Sequence, residues 1–251
     1  MGGHSHWAGI KHKKALIDAK RGKVWTKISR EITIAAKMGG GDPTGNPRLR
    51  RAIDDGRAAN MPLDTIKRAI QKGTGEIPGA TYEELTYEGY GPGGVAILVE
   101  VTTDNRNRTG SEIATLFTKN GGNKGEAGCV AWMFKPQGLI RVKKSSVKDE
   151  DAFMSHALEA GADDVSTDNA EFCEVIVSPL NLDKAKDALA KAGYEIESAT
   201  SIMKPDTTIT LDQATAEKVL ALVDVLEEHD DVKNVHSNFD IPDEILAKLG
   251  A

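Results

Sequence analysis

The chain has 251 residues and a formal net charge of -6, with 39% hydrophobic and 28% charged residues. That is enough for one large domain or two to three small ones, and it excludes a fibrous or low-complexity chain. No apolar run approaches the roughly 20 residues of a membrane span, and the N-terminus lacks the apolar core of a secretory signal. Two cysteines, Cys129 and Cys173, stand far apart without metal spacing, so both are expected to be small buried hydrophobes in a cytoplasmic protein.

The charge is divided along the chain. Residues 1–80 hold 16 Lys/Arg and 7 Asp/Glu, and residues 81–251 hold 16 and 31, so one end is +9 and the rest -15. The surplus is densest between Lys11 and Lys37, nine cations against Asp18 and Glu31. A basic run is ordinarily a solvated helix face, but here the balancing acids are missing, and a nucleic-acid surface is expected.

Residues 1–10 are rich in glycine and histidine. From Lys23 the apolar stripe Val24, Ile28, Ile32 and Ala35 predicts a helix, with Lys23, Lys27, Arg30 and Lys37 off the stripe. Gly39–Gly41, Asp42 and Pro43 end it. A second helix is predicted from Pro47 to Asn60, with Leu49, Ala52 and Ile53 inward and Arg48, Arg50, Arg51 and Arg57 outward. A third begins near Pro62, buries Leu63, Ile66 and Ile70, exposes Lys67, Arg68 and Lys72, and stops at Gly73.

The stretch 74–80 reads as a linker. After it, the pattern predicts a strand at 95–101, a helix opened by the capping box Thr109–Glu112, and a strand at 127–135. Near the far end, a strand at 198–211, a helix at 214–229 capped by Asp212, and a strand at 232–239 complete an α+β layer of ferredoxin-like order. Between them lies an acidic set: strand 139–143, helix 149–160, strand 172–178, helix 182–192 and strand 194–197. The expected architecture is therefore α+β and multidomain. A basic all-helical three-helix domain occupies 1–79, a ferredoxin-like domain 80–136 plus 198–251, and a second, inserted ferredoxin-like domain 137–197.

Several motifs invite chemistry. Gly89-Tyr90-Gly91-Pro92-Gly93-Gly94 matches a dinucleotide fingerprint literally, but it precedes a strand instead of opening a helix, so a tight turn is the better account. His4, His6 and His12 lack partners for a tetrahedral metal site. A free Gly2-Gly3-His4 terminus suits Cu(II) or Ni(II), as adventitious binding. In Asp104-Asn105-Arg106-Asn107-Arg108, turn chemistry accounts for Asp104 and Asn105 and leaves the two arginines as possible ligand contacts. Trp7 suits stacking or docking and Trp25 the core. No nucleophile, metal or acid–base constellation is present, and the paired acids 163–164, 227–228 and 230–231 fall at helix ends and turns, so no enzyme and no cofactor are expected.

The segments GHSHWAGIKHKKALIDAKRGKVWTKISREI, GGGDPTGNPRLRRAI, YEGYGPGGVAILVEVTTDNRNRT and GCVAWMF together resemble the YebC/PmpR family. A mitochondrial translational activator of cytochrome c oxidase belongs to the same family. His6 stands where the family has lysine, which removes one positive contact. The resemblance implies three domains and a non-enzymatic cytoplasmic protein, described either as a DNA-binding transcriptional regulator or as a translation factor that relieves stalled ribosomes. The flexible-looking basic arm favours ribosomal RNA, with DNA the alternative. The expected contacts are Lys11, Lys13, Lys14, Lys20, Arg21, Lys23, Lys27, Arg30, Arg48, Arg50, Arg51, Lys67, Arg68, Arg106 and Arg108. No membrane or small-molecule partner is implied, and a monomer is expected.

Overall fold

A computed structural model describes residues 21–169, 171–242 and 244–246. The chain divides into two units, one of residues 1–131 with 208–251 and one of Trp132–Thr207.

The first unit opens with three helices: α1 (Arg21–Gly39), α2 (Pro47–Ala58) and α3 (Leu63–Thr74). Ile32, Ala35, Leu49, Ala52, Ile53 and Ile66 form their shared core, with Trp25, Ile28 and Ile70 packed against it. Asn46 makes the α1–α2 corner. Its side-chain oxygen accepts the Leu49 N–H at 3.0 Å, and its amide donates to the carbonyls of Ala35 and Gly40 at 2.8 and 2.9 Å. Pro47 then fits the first turn of α2, where its missing N–H costs nothing.

Two expectations of burial fail here. Val24 is 42% exposed and Leu63 62% exposed. The place foreseen for Val24 belongs to Trp25, whose indole N–H reaches the Ala59 carbonyl at 2.9 Å. Leu63 stands at the first helical position, where the side chain leans back over the turn preceding the helix rather than into the bundle.

Gly73 does not stop α3; the helix runs on to Thr74, and Gly75, at φ 80°, is its left-handed cap. A glycine occupies position 73 because α1 passes there. A Cβ would stand 2.3 Å from the Thr33 carbonyl oxygen and 2.7 Å from the Ala36 Cβ. Gly73→Ala is therefore expected to force α1 and α3 apart and destabilise the helical part by about 1–3 kcal/mol, despite alanine's better helix propensity. Chemical denaturation followed by Trp25 fluorescence measures this, and a variant as stable as the wild type would refute the close approach.

The α+β part of the same unit comprises β1 (Glu83–Tyr90), β2 (Ala96–Thr103), α4 (Arg106–Lys119), β3 (Asn123–Lys124), and further along the chain β8 (Ile209–Thr210), α7 (Gln213–Glu228), β9 (Val232–Ser237) and β10 (Phe239–Asp240). Four strands form an antiparallel sheet in the order β3-β1-β2-β9, while β8 and β10 make a short parallel pair. Ile97, Val99 and Val101 of β2 meet Ile113 and Phe117 of α4 and Val219, Leu222 and Leu226 of α7 in one core. The glycine motif is the β1–β2 turn. Gly91 N–H bonds the Val95 carbonyl at 2.8 Å, and Gly93 and Gly94 take φ of 72° and 76°, open to glycine at little cost.

Helix α4 begins three residues before the capping box read from the sequence. Asn105 caps it, accepting the Arg108 N–H at 3.1 Å, which leaves Thr109 inside and fully buried. The predicted strand at 127–135 is also replaced. Residues 127–130 turn, Ala131–Met133 form a 3-10 turn, and the next strand starts at Phe134.

The second unit contains β4 (Phe134–Lys143), α5 (Glu150–Glu159), β5 (Ala162–Ser166), β6 (Phe172–Val177), α6 (Leu182–Lys191) and β7 (Ile196–Pro205). Its antiparallel sheet has the order β5-β6-β4-β7, the connectivity of a ferredoxin-like βαββαβ domain. Pro136 and Gly138, between the strands expected at 127–135 and 139–143, lie within β4. Pro136 pairs only with β7, because β6 joins from Gly138 onward, so its missing N–H interrupts no second ladder. Gly138 is required by packing: a Cβ there would lie 2.8 Å from Val177 and 3.0 Å from Leu182. Segments 194–197 and 198–211, read as separate strands, are largely the single strand β7 of this sheet, and the unforeseen β5 supplies its far edge.

Candidate nucleic-acid interface

Helix α1 has two working stripes. Its apolar stripe packs on α2 and α3; Lys23, Lys27 and Arg30, spaced four and three residues apart, form a second stripe. This basic stripe faces the end of α7. Lys23 Nζ donates to the Glu228 carbonyl at 3.2 Å, Lys27 Nζ to the Glu227 carbonyl at 2.6 Å, and Arg30 Nη1 to the Asp230 carbonyl. Carbonyls at a helix C-terminus lack intrahelical partners and carry the negative end of the helix dipole, so cations settle there.

Asp231 is the centre of this contact. The residue is 4% exposed, and its carboxylate receives Arg30 at 2.9 Å, Arg108 at 2.7 Å, the Thr109 hydroxyl at 2.6 Å and the Thr103 hydroxyl at 3.2 Å. Burial pushes its pKa upward, but the hydrogen bonds from Thr109 and Arg108 and the charges of Arg30 and Arg108 outweigh it and hold the group below the ordinary carboxylate range. Arg108 also pairs with Asp104 at 3.0 Å. The arginine that turn chemistry left unexplained is thus held by carboxylates.

A second cluster lies at Arg48. Its guanidinium forks between Glu31 at 2.7 Å and Glu84 at 2.6 Å, and Lys233 reaches Glu31 at 2.9 Å. Burial acts upward on Glu31, while bonds from Arg48 and Lys233 bring its pKa below the usual value. Arg48, expected outward, therefore ties α1 to β1.

The other expected contacts lie elsewhere. Arg50 is exposed and donates to the carbonyls of Pro43 at 3.1 Å and Thr44 at 2.9 Å, with no carboxylate partner among the described residues. Arg51 is exposed on α2, and Lys67 and Arg68 are exposed on the solvent face of α3 with Lys72. Arg106 is exposed at the start of α4. Arg21 opens α1. Lys11, Lys13, Lys14 and Lys20, with His4 and Trp7, lie outside the described residues.

Between the α1 basic stripe, α4 and the end of α7 lies a cleft of about 720 Å³, whose lining mixes Lys23, Arg30 and Arg108 with Glu112, Glu228, Asp230 and Asp231. Within it Glu112, His229 and Asp231 bring three ligand-type atoms within 4.8 Å of one another. The hydrogen bonds argue against a metal. The Asp231 N–H donates to His229 Nδ1 at 3.1 Å, which puts the ring proton on Nε2, and Nε2 meets Glu112 at 3.0 Å. No nitrogen lone pair is left for a cation, and two arginines already neutralise Asp231.

Sequence reasoning missed Asp231 and Glu88. Glu88 is 6% exposed and accepts three backbone N–H groups, from Gly128 at 2.6 Å, Val130 at 2.8 Å and Ala131 at 2.7 Å. It joins two of the sequence motifs, because it stands before the glycine turn and its donors are the GCVA loop. Its only advance signal was an acid beside the glycine motif, between Tyr87 and Gly89.

The comparisons agree with this layout. Residues 5–76 match the family described as "TACO1/YebC protein N-terminal domain", and residues 82–239 match "TACO1/YebC second and third domain". The chain belongs to the TACO1/YebC family. A "Probable transcriptional regulatory protein" of Dictyoglomus turgidum is 57% identical over 249 residues, covering 99% of this chain and 100% of that protein. A protein of the same description from Elusimicrobium minutum is 57% identical over 250 residues, covering 99% of each. The crystal structure of a conserved hypothetical protein from Aquifex aeolicus is similar at a TM-score of 0.85 and 49% identity, over 96% of this chain and 99% of that one. As a TACO1/YebC protein the chain shares a helical N-terminal domain and two four-stranded antiparallel α+β sheets. Among the described residues no helix is long and apolar enough to cross a membrane.

Proposed function

We propose that the protein is a non-enzymatic, nucleic-acid-binding regulator of gene expression that acts on transcription by contacting duplex DNA through its helical domain. One observation carries the reading. On α2 and α3, Arg50, Lys67, Arg68 and Lys72 are exposed and form no ion pair with a described residue, so their charges remain available to phosphates. The two helices meet through residues 59–62, a short connection of the helix-turn-helix kind, and Lys67 and Arg68 lie in the first half of α3, where a recognition helix meets a groove. Lys11, Lys13, Lys14, Lys20 and Arg21 add further cations in the preceding basic stretch of the sequence, and Arg51 and Arg106 are also exposed. The relatives' description as probable transcriptional regulatory proteins favours transcription over the ribosomal role that the basic arm first suggested.

Each phosphate contact adds about 0.9 to the slope of log K against log salt on duplex DNA. Lys67→Ala with Arg68→Ala should therefore weaken duplex binding about tenfold or more at roughly 150 mM salt and flatten the slope by about 2. Fluorescence anisotropy against a genomic duplex pool and scrambled duplex measures both. A preference of roughly 10³ for particular duplexes is the mark of a specific regulator. Unchanged DNA binding in the double variant, or tight sedimentation with ribosomes and only indifferent duplex binding, would overturn the transcriptional reading.

A further inference from the structure

Three of the α1 cations that the sequence offers to nucleic acid are already engaged. Lys23, Lys27 and Arg30 bind backbone carbonyls of Glu227, Glu228 and Asp230, and Arg30 also pairs with Asp231. Their partners form an unusual object. The segment 227–231 carries four acids in five residues and stands at the end of a 16-residue helix, where the dipole is negative and the last carbonyls are orphaned. Oxygen acceptors backed by negative charge, presented in series to lysine and arginine, are what a phosphate backbone offers to the same side chains.

We infer that the acidic C-terminal end of α7 is a built-in phosphate mimic that occupies the α1 basic stripe, so that nucleic acid must displace it to engage Lys23, Lys27 and Arg30. The contact is an autoinhibitory latch, and it rests on the functional reading above. Three features of the site support exchange rather than a permanent seam. The donors are two lysines and an arginine, long side chains that can exchange one oxygen acceptor for another. Arg30 Nε is buried with no acceptor among the described residues, so the contact leaves donor capacity unused. Beside the contact lies the cleft of about 720 Å³, lined by Lys23 and Arg30 of the stripe itself. The acids behind these carbonyls, Glu228 and Asp230, are exposed, so salt screens their attraction for the stripe.

The test removes charge from the mimic and leaves the cations intact. Glu228 and Asp230 are exposed. In the full-length chain, Glu228→Gln with Asp230→Asn should tighten binding to a duplex DNA probe by about three- to tenfold, the size expected for two surface charges. A single-stranded RNA probe of equal length is the second arm, and the same tightening there assigns the latch to phosphate as such. An independent readout is distance. Spin labels at Asp54→Cys on α2 and Lys119→Cys on α4, with Cys129 and Cys173 replaced by alanine, should move apart when duplex is added and should be further apart in the charge-removed variant at low salt. A variant that binds no more tightly than the wild type, with an unchanged label distance, overturns the latch and leaves the functional reading standing. If Lys23→Ala with Lys27→Ala also leaves binding unchanged, α1 is not part of the interface and the latch again fails. Absence of binding by every protein to both probes would sink the functional reading and the latch with it.

Discussion

Replacing Asp231 by alanine is expected to destabilise the first unit by about 3–5 kcal/mol, the cost of removing one partner from a buried ion pair. The carboxylate is 4% exposed and serves Arg30, Arg108, Thr109 and Thr103, so its loss strands two guanidinium groups and two hydroxyls at once. Asp231→Asn separates charge from shape, since the amide oxygen still accepts from Thr109 while the pairing with the arginines is lost; it should fall between alanine and the wild type. Urea denaturation at neutral pH measures both, and a loss below about 1 kcal/mol would contradict the role given to this group.

The same residue sets a pH dependence. Its folded-state pKa lies below the ordinary value of about 3.9, so the unfolded chain takes up a proton first as pH falls. The stabilisation is therefore fully present above about pH 5 and is lost as pH falls toward and through the lowered folded value. Stability of the wild type should drop in that window, and the drop should be smaller in Asp231→Asn. An identical acid profile for the two proteins would reject the assignment.

Glu88→Ala should be of comparable size, about 3–5 kcal/mol, because three backbone N–H groups lose their acceptor together and two of them belong to Val130 and Ala131 at the edge of the core. Burial acts upward on Glu88, yet the three amides bring its pKa below the usual value, and they would be left unsatisfied in the variant. The loop also carries Cys129, half-buried, whose thiol is pushed up by burial and by the nearby Glu88 charge. Opening the loop relieves both effects, so Cys129 should react faster with a thiol reagent in Glu88→Ala, while the buried Cys173 remains slow. Unchanged stability together with unchanged Cys129 reactivity would mean that the loop is held by something other than Glu88.

Local rules settled much of this protein from its residues alone. The three basic helices follow from apolar spacing, from Pro47 at a first turn and from the Gly39–Gly41 break, all of them contacts within one turn or one corner. The α+β class, the helices of the inserted unit and the α7 helix were legible for the same reason: Asp149 and Asp212 cap their helices two and three residues away. The family was legible as well, through four motifs in order.

What the sequence could not decide depends on residues far apart in the chain. Gly73 reads as a helix stop and is in fact the point where α1 crosses α3. Pro136 and Gly138 fall between the expected strands 127–135 and 139–143, and only the pairing of β4 with two neighbours makes them part of one strand. Lysines and arginines spaced along α1 look alike in a sequence. Tertiary structure sorts them, because Asp231 lies 201 positions beyond Arg30 and 123 beyond Arg108, by subtraction of their numbers, and no periodicity links such positions. A charge run records which side chains are cationic; the fold decides which of them are spent on the protein's own carboxylates and helix ends, and which, like Lys67 and Arg68, stay exposed.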